Sequence, residues 1–197
     1  MFYPAVSPRL ADHPVDAQFL TRWSPRAFAD DAMPEPVLLT ILEAARWAPS
    51  SSNLQPWRFA YGLRGDDGFG LIAAALVPSN RIWAAKAAAL VAIASCLTVL
   101  RQGEAVANPS HAFDTGAAWA HLGLQARVSG YVAHAMGGFD KARAAEGLQL
   151  PQGHELHAVV AIGRQAPADS LPEDQRAREV PNGRLPLTQT ARRGKFV

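Results

Sequence analysis

The sequence predicts a single α+β domain, and three observations carry that prediction. Apolar residues recur at helical spacing over 35–47 and 114–129, extended apolar or aromatic runs occupy 57–63 and 156–162, and a length of 197 residues favours one domain over two. Hydrophobic residues make up 49% of the chain and charged residues 18%, which argues against disorder and leaves apolar surface for a second copy of the chain. Nineteen basic residues face 17 acidic ones with no long basic block, so nucleic acid is not implied. The longest apolar run, 84–100, contains Lys86 and ends at Arg101, short of the roughly 20 apolar residues that span a bilayer. No basic stretch followed by an apolar segment opens the chain, and a cytoplasmic protein without a membrane partner is expected.

Each element has its own justification. Pro4, Pro8 and Pro14 make residues 1–15 irregular. A short helix is expected over 16–22, with Val15, Phe19 and Leu20 on one side. Pro34 and Pro36 open the helix at 35–47, in which Val37, Leu38, Ile41, Leu42, Ala45 and Ala48 recur at helical spacing, and Pro49 ends it. Residues 57–63, bounded by Pro56 and Gly65, read as a strand, and a helix over 68–76 follows. Residues 90–95 form an apolar run that periodicity cannot assign. Residues 101–112, polar and Pro-containing, read as a loop. The helix at 114–129 carries Gly116, Ala120 and Gly123 as a small-residue stripe, and Trp119, Leu122, Leu124 and Val128 make it apolar beyond one face. Gly130 caps it, 131–136 is the next strand, and Asp140 suits the start of a helix at 141–148. Residues 156–162 are a clear strand. The segment 165–197, rich in Pro and charge, would alone be read as a flexible extension, but Leu185, Leu187 and Phe196 give it apolar anchors.

Two stretches carry chemistry. Pro49, Ser50, Ser51, Ser52, Asn53, Leu54, Gln55, Pro56 and Trp57 form an uncharged loop of hydroxyls and carboxamides between prolines. Such a loop matches the donor and acceptor edges of a planar ring such as a flavin, although Ser and Asn also cluster in turns that bind nothing. Residues 22–28 place Arg22, Ser24 and Arg26 beside Trp23 and ahead of Phe28, a group of donors that fits a phosphate monoester.

Together and in this order, the two stretches resemble the signature of the nitroreductase family of flavoenzymes, Arg-x-Ser-x-Arg/Lys-x-Phe followed by Pro-Ser-Ser-x-Asn-x-Gln-Pro-Trp. The resemblance implies an α/β/α sandwich around a central, mostly antiparallel sheet, with 90–95 as a central strand. It also implies an intertwined homodimer with shared sites, in which residues from about 165 to 197 wrap the partner. FMN is the implied cofactor, its phosphate on Arg22, Ser24 and Arg184 beside Trp23, with Arg26 near the phosphate or the N1 and O2 edge. Pro49, Ser50, Ser51 and Asn53 would come from the other subunit, and Ser52 would face substrate. Asn80 matches a position that meets the flavin's pyrimidine edge, though after Pro78 and Ser79 it also suits a turn or helix cap. Met136, Gly137 and Gly138 resemble a turn whose backbone sits beside the redox edge, and equally suit a strand-to-helix turn. The implied activity takes hydride from NADH or NADPH and passes it to nitroaromatics, quinones or similar flat acceptors in a two-step, ping-pong transfer, with no catalytic acid or base. Reductive dehalogenation, flavin destruction and flavin binding without turnover are the alternatives, and Asn53 favours the reductase pattern over the flavin-destroying one.

Other chemistries lack their motifs. Gly65, Gly68 and Gly70 do not make a dinucleotide fingerprint, and neither a phosphate-binding Gly-Lys-Ser/Thr loop nor a Gly-x-Ser-x-Gly elbow occurs. Cys96, the only cysteine, is expected in the core. His154, Glu155 and His157 are too closely spaced for the helical zinc motif, so no metal ligands are assigned. His121 and His134 read as hydrogen-bonded core or interface histidines.

Overall fold

A computed structural model describes residues 9–196; the first eight residues of the irregular segment expected at 1–15 lie outside it, and residues 9–16 form neither helix nor strand. Helix α1 (Ala17–Thr21) is capped by Asp16, whose carboxylate accepts from Gln18 N. Helix α2 (Glu35–Arg46) has Pro in its first turn and ends just before Pro49, as the spacing predicts. Strand β1 (Trp57–Leu63) leads to α3 (Asp67–Ala75) and α4 (Pro78–Ala84). Strands β2 (Ala89–Cys96), β3 (Thr98–Arg101) and β4 (Glu104–Ala107) precede the long helix α5 (His111–Val128). Strand β5 (Val132–Met136), α6 (Lys141–Gly147) and β6 (His154–Gly163) follow, and the tail adds single turns α7 (Glu173–Arg176) and α8 (Leu187–Thr190).

The main sheet has the order β1-β2-β6-β5, with every neighbouring pair antiparallel. Both faces are covered. Leu90, Ala92 and Ala94 of β2 pack with Phe69, Ile72, Trp83 and Ala144 from α3, α4 and α6. The alternate residues Ala89, Val91 and Ile93 pack with Leu38, Ile41, Ala118 and Leu122 from α2 and α5. Burial on both faces explains why 90–95 shows no alternation in sequence: a strand between two helical layers needs apolar residues at every position. The expected sandwich is therefore present.

Residues 98–107 differ from expectation. The loop read at 101–112 is instead the second half of a β3–β4 hairpin followed by the first turn of α5, with Val99 opposite Val106. Gln102 and Gly103 both take positive φ, 53° and 88°, the geometry of a tight hairpin turn, and a glutamine at that first position gave no turn signal. Cys96 also departs from the core reading. It is half-buried at the end of β2, its thiol 3.2 Å from the Thr98 carbonyl.

The tail folds back on its own chain. Ala29 N donates to Arg164 O at 2.8 Å, Ala166 N donates to Ala27 O at 3.0 Å, and Leu171 is buried. Among the described residues no helix is long and apolar enough to cross a membrane.

Gly62 sets the approach of α3 to β1. A Cβ there would lie 1.9 Å from Phe69 N, a backbone atom that cannot swing aside. Gly62→Ala is expected to lower stability by about 1–3 kcal/mol or more, the cost of overpacking, measured as a shift in the urea unfolding midpoint.

Candidate functional site

The cradle expected from the 22–28 motif begins where α1 ends. Arg22 is the C-cap of α1, and Phe19, Arg22, Ser24, Trp119, Gly123 and Ala135 line an open cavity of about 430 Å³ between α1, α5 and β5. Gly123, on the inner side of α5, would bring a Cβ within 3.8 Å of the Arg22 side chain. Arg184 comes from the tail and is close enough to depress the pKa of Arg22, after burial, and that of Arg9. Arg9 donates to the Arg22 carbonyl at 3.0 Å, and its guanidinium is lowered by burial first, then by Arg184 and Arg22. No ion pair among the described residues involves Arg22 or Arg184. Arg22 and Ser24 share this cavity, with Arg9 and Arg184 as neighbouring cations.

Arg26 takes another station. Its guanidinium lies 6.0 Å from the Trp83 ring, and its backbone N–H donates to Glu179 Oε1 at 2.7 Å. The same carboxylate oxygen accepts from Ala27 N at 2.8 Å, so a buried acid of the tail fixes the backbone of the Arg22–Phe28 motif. His134 of β5 completes the support. Its Nδ1–H donates to the Pro25 carbonyl at 3.0 Å while its ring packs 4.6 Å from Trp83. Trp23 is half-buried.

The polar loop is held at the opposite end of α5. Ser51 N donates to Asp114 Oδ2 at 3.1 Å, Gln55 N donates to Ser50 Oγ at 3.0 Å, and Gln55 Nε2 donates to Asn53 O at 3.0 Å. Ser52, Asn53 and Gln55 all have positive φ, between 48° and 55°, where non-glycine residues are strained. The fold thus pins a loop that would otherwise relax, with the side chains of Pro49, Ser51, Ser52 and Asn53 exposed and Ser50 half-buried. Asp114 and Gly123 stand nine residues apart on α5, about 14 Å at 1.5 Å per residue. Within one chain the loop and the cradle are therefore separate.

Asn80 is a residue of α4, and its Nδ2 donates to Gly138 O at 3.0 Å. Gly138 permits this approach, since a Cβ there would lie 2.6 Å from that nitrogen. Asn80 thereby structures the turn after β5, while Gly137 has open space around it. Met136 is buried in the core between β5 and α3, which leaves only its backbone for any ligand.

The sequence did not single out Arg9, Asp114 or Glu179. Arg9 lies in an irregular segment, and the partners of Asp114 and Glu179 are 63 and 153 residues distant, so no local pattern marks them.

With this geometry in hand, comparison with known proteins is specific. The family model described as "Nitroreductase family" matches residues 20–164. A 15.4 kDa protein of Mycolicibacterium smegmatis, described only as an uncharacterized product of the ask 5' region, is 34% identical over 151 residues, 71% of this chain and 97% of that one. The solved structure of an oxidoreductase containing FMN superposes with a TM-score of 0.95 at 44% identity, covering 98% of each chain. A Desulfovibrio desulfuricans protein solved in complex with FMN gives a TM-score of 0.72 at 24% identity, covering 95% of this chain and 100% of that one, a likeness of fold.

The support under the cradle responds to pH. Burial, and secondarily Arg26, hold the His134 pKa below its ordinary 6.5, so the folded state favours the neutral ring. Its contribution to stability is complete above pH 6.5 and is lost as pH falls from there through the lowered folded value. Urea midpoints measured between pH 5 and 8 should fall toward acid, and His134→Asn should flatten that slope.

Proposed function

The chain belongs to the nitroreductase family, and on that premise we propose that it is an FMN-dependent oxidoreductase that uses NADH or NADPH to reduce flat acceptors such as nitroaromatics and quinones. The observation that carries the reading is the placing of Arg22 and Ser24 on one open cavity, with Arg9 bonded to the Arg22 carbonyl and Arg184 close enough to lower the pKa of both. The FMN-containing neighbour at 44% identity supports the choice of cofactor. When bound, the flavin supplies hydride acceptance and donation at N5. The chain's residues hold and orient it: Arg22, Ser24 and Arg184 take the phosphate, and Arg9 joins them. Asn80 locks Gly138 so that the backbone after β5 stays fixed. Arg26, held over Trp83 with its backbone clamped by Glu179, is the cation proposed to favour negative charge on the ring.

The protein is further proposed to act as a homodimer in which the loop of one chain completes the cradle of the other. The outward stripe of α5 supports this, since Phe113, Gly116, Ala120 and Val128 are exposed on a helix that is already buried along its inner face. A helix apolar on all sides is a helix that expects a second neighbour. The separation along α5 of Asp114, which holds Ser51, from Gly123, which lies against Arg22, adds to the argument, because one chain alone does not bring loop and cradle to one ligand. The open loop face, with Ser52 exposed, would receive the acceptor.

The test is FMN titration. Arg22→Ala and Arg184→Ala are each expected to weaken FMN by about 1.5–3 kcal/mol, the range for hydrogen bonds to charged groups. Thermal stability of the FMN-free protein should stay level or rise, because a like charge has been removed. Unaltered FMN affinity in both variants would overturn the cradle. Mixed dimers of an Arg22→Ala chain with an Asn53→Ala chain should regain one sound site per dimer, whereas two equally damaged sites would contradict the sharing.

A further inference from the structure

A second cluster of ligating groups lies where α5 begins. His111 in its first turn and Glu155 and His157 on β6 each offer one donor atom, and these atoms all lie within 4.8 Å of one another. Ser95 of β2, fully buried, stands between the rings: its hydroxyl is 2.8 Å from His111 Nδ1 and 2.7 Å from His157 Nε2. The rings are 5.7 Å apart, and all three candidate ligands are half-buried. A register shift in the β2–β6 ladder creates the arrangement. Ile93 pairs with Ala158 and Ala94 with Leu156, which leaves His157 as the extra residue of a bulge, turned toward α5 beside Glu155.

From these groups we propose a binding site for a first-row divalent cation, Zn2+ by preference, ligated by His111, Glu155 and His157. Two imidazoles and one carboxylate are a recurring zinc donor set that leaves a coordination position open. Zinc bonds of about 2.0–2.1 Å place tetrahedral ligand atoms roughly 3.3 Å apart, so the three donors must close by at most about 1.5 Å. Rotation of half-buried side chains provides that movement; a ring that ligates through its Ser95-bonded nitrogen, His111 Nδ1 or His157 Nε2, gives up that hydrogen bond, and a ring that ligates through its other nitrogen keeps it. Lys141, 3.4 Å from Glu155 Oε1, competes for the carboxylate, but its side chain is 58% exposed and can withdraw into solvent. The sequence pattern excluded only the helical zinc motif; here the third ligand arrives from a helix 44 residues away from Glu155. The site is distinct from the cradle and reaches the polar loop through α5, because the same first turn carries Asp114, which holds Ser51. A bound ion would tie β6 to that turn and stiffen the loop.

The experiment is isothermal titration of the purified full-length protein with ZnCl2, with metal content measured after dialysis. One Zn2+ per chain is expected, weakened about tenfold or more by His111→Ala, His157→Ala or Glu155→Gln, each removing a ligand. His154→Ala, which removes a neighbouring imidazole outside the cluster, should bind as wild type does. Circular dichroism identifies any variant that fails to fold, and Glu155→Gln, at a partly exposed position, provides the reading in that case. No saturable Zn2+ binding by the wild type, or equal binding by a folded Glu155→Gln protein, would overturn the site. Neither result depends on flavin.

Discussion

The candidate site depends on one buried contact, the acceptance of the Ser51 N–H by the Asp114 carboxylate at the start of α5. A carboxylate this deeply buried is tolerable only where donors and a favourable field meet it. The first turn of a helix supplies the field, and the loop supplies the donor. In return the loop is held where three non-glycine positive-φ residues within four positions, Ser52, Asn53 and Gln55, keep their conformation. Strain of this kind persists only when the surroundings over-determine it, and it gathers at ligand-binding segments.

Helix α5 then acts as the common frame. Its inner face packs Ala118, Leu122 and Ala126 into the core, its first turn anchors the loop, and Gly123 lies against Arg22. Its outer stripe is apolar and exposed. The sheet beneath it is buried on both sides, so β2, β5 and β6 are a rigid frame from which Ser95, His134 and His157 project polar groups. The cradle is assembled across the chain: Arg9 from the first described residues, Arg22 from the exit of α1, Arg184 from the tail.

Much of this was legible in the sequence because local chemistry punctuates it. Pro34, Pro49 and Pro56 bound α2 and β1, Gly130 ends α5, and Asp140 starts α6, its carboxylate accepting from Arg143 N. The motifs at 22–28 and 49–57 led to the fold because their residues are consecutive. What escaped was held by long-range contacts. Glu179 supports Arg26 from 153 residues away, and Arg9 meets Arg184 only once the tail has folded back. The hairpin at 98–107 escaped for a local reason, since Gln102 adopts a turn conformation usually signalled by glycine or asparagine. His157 appeared as one of three crowded residues on a strand, and only the bulge in β6 and the arrival of His111 give it ligand geometry.

The central claim is that this scaffold holds FMN for redox turnover, and the visible spectrum of the purified protein under anaerobic conditions tests it most directly. The account predicts flavin absorption bands, present as purified or after adding FMN, that bleach on addition of NADH or NADPH and return with a quinone. A protein that stays colourless with excess FMN, or whose bound flavin neither nucleotide reduces, would contradict it.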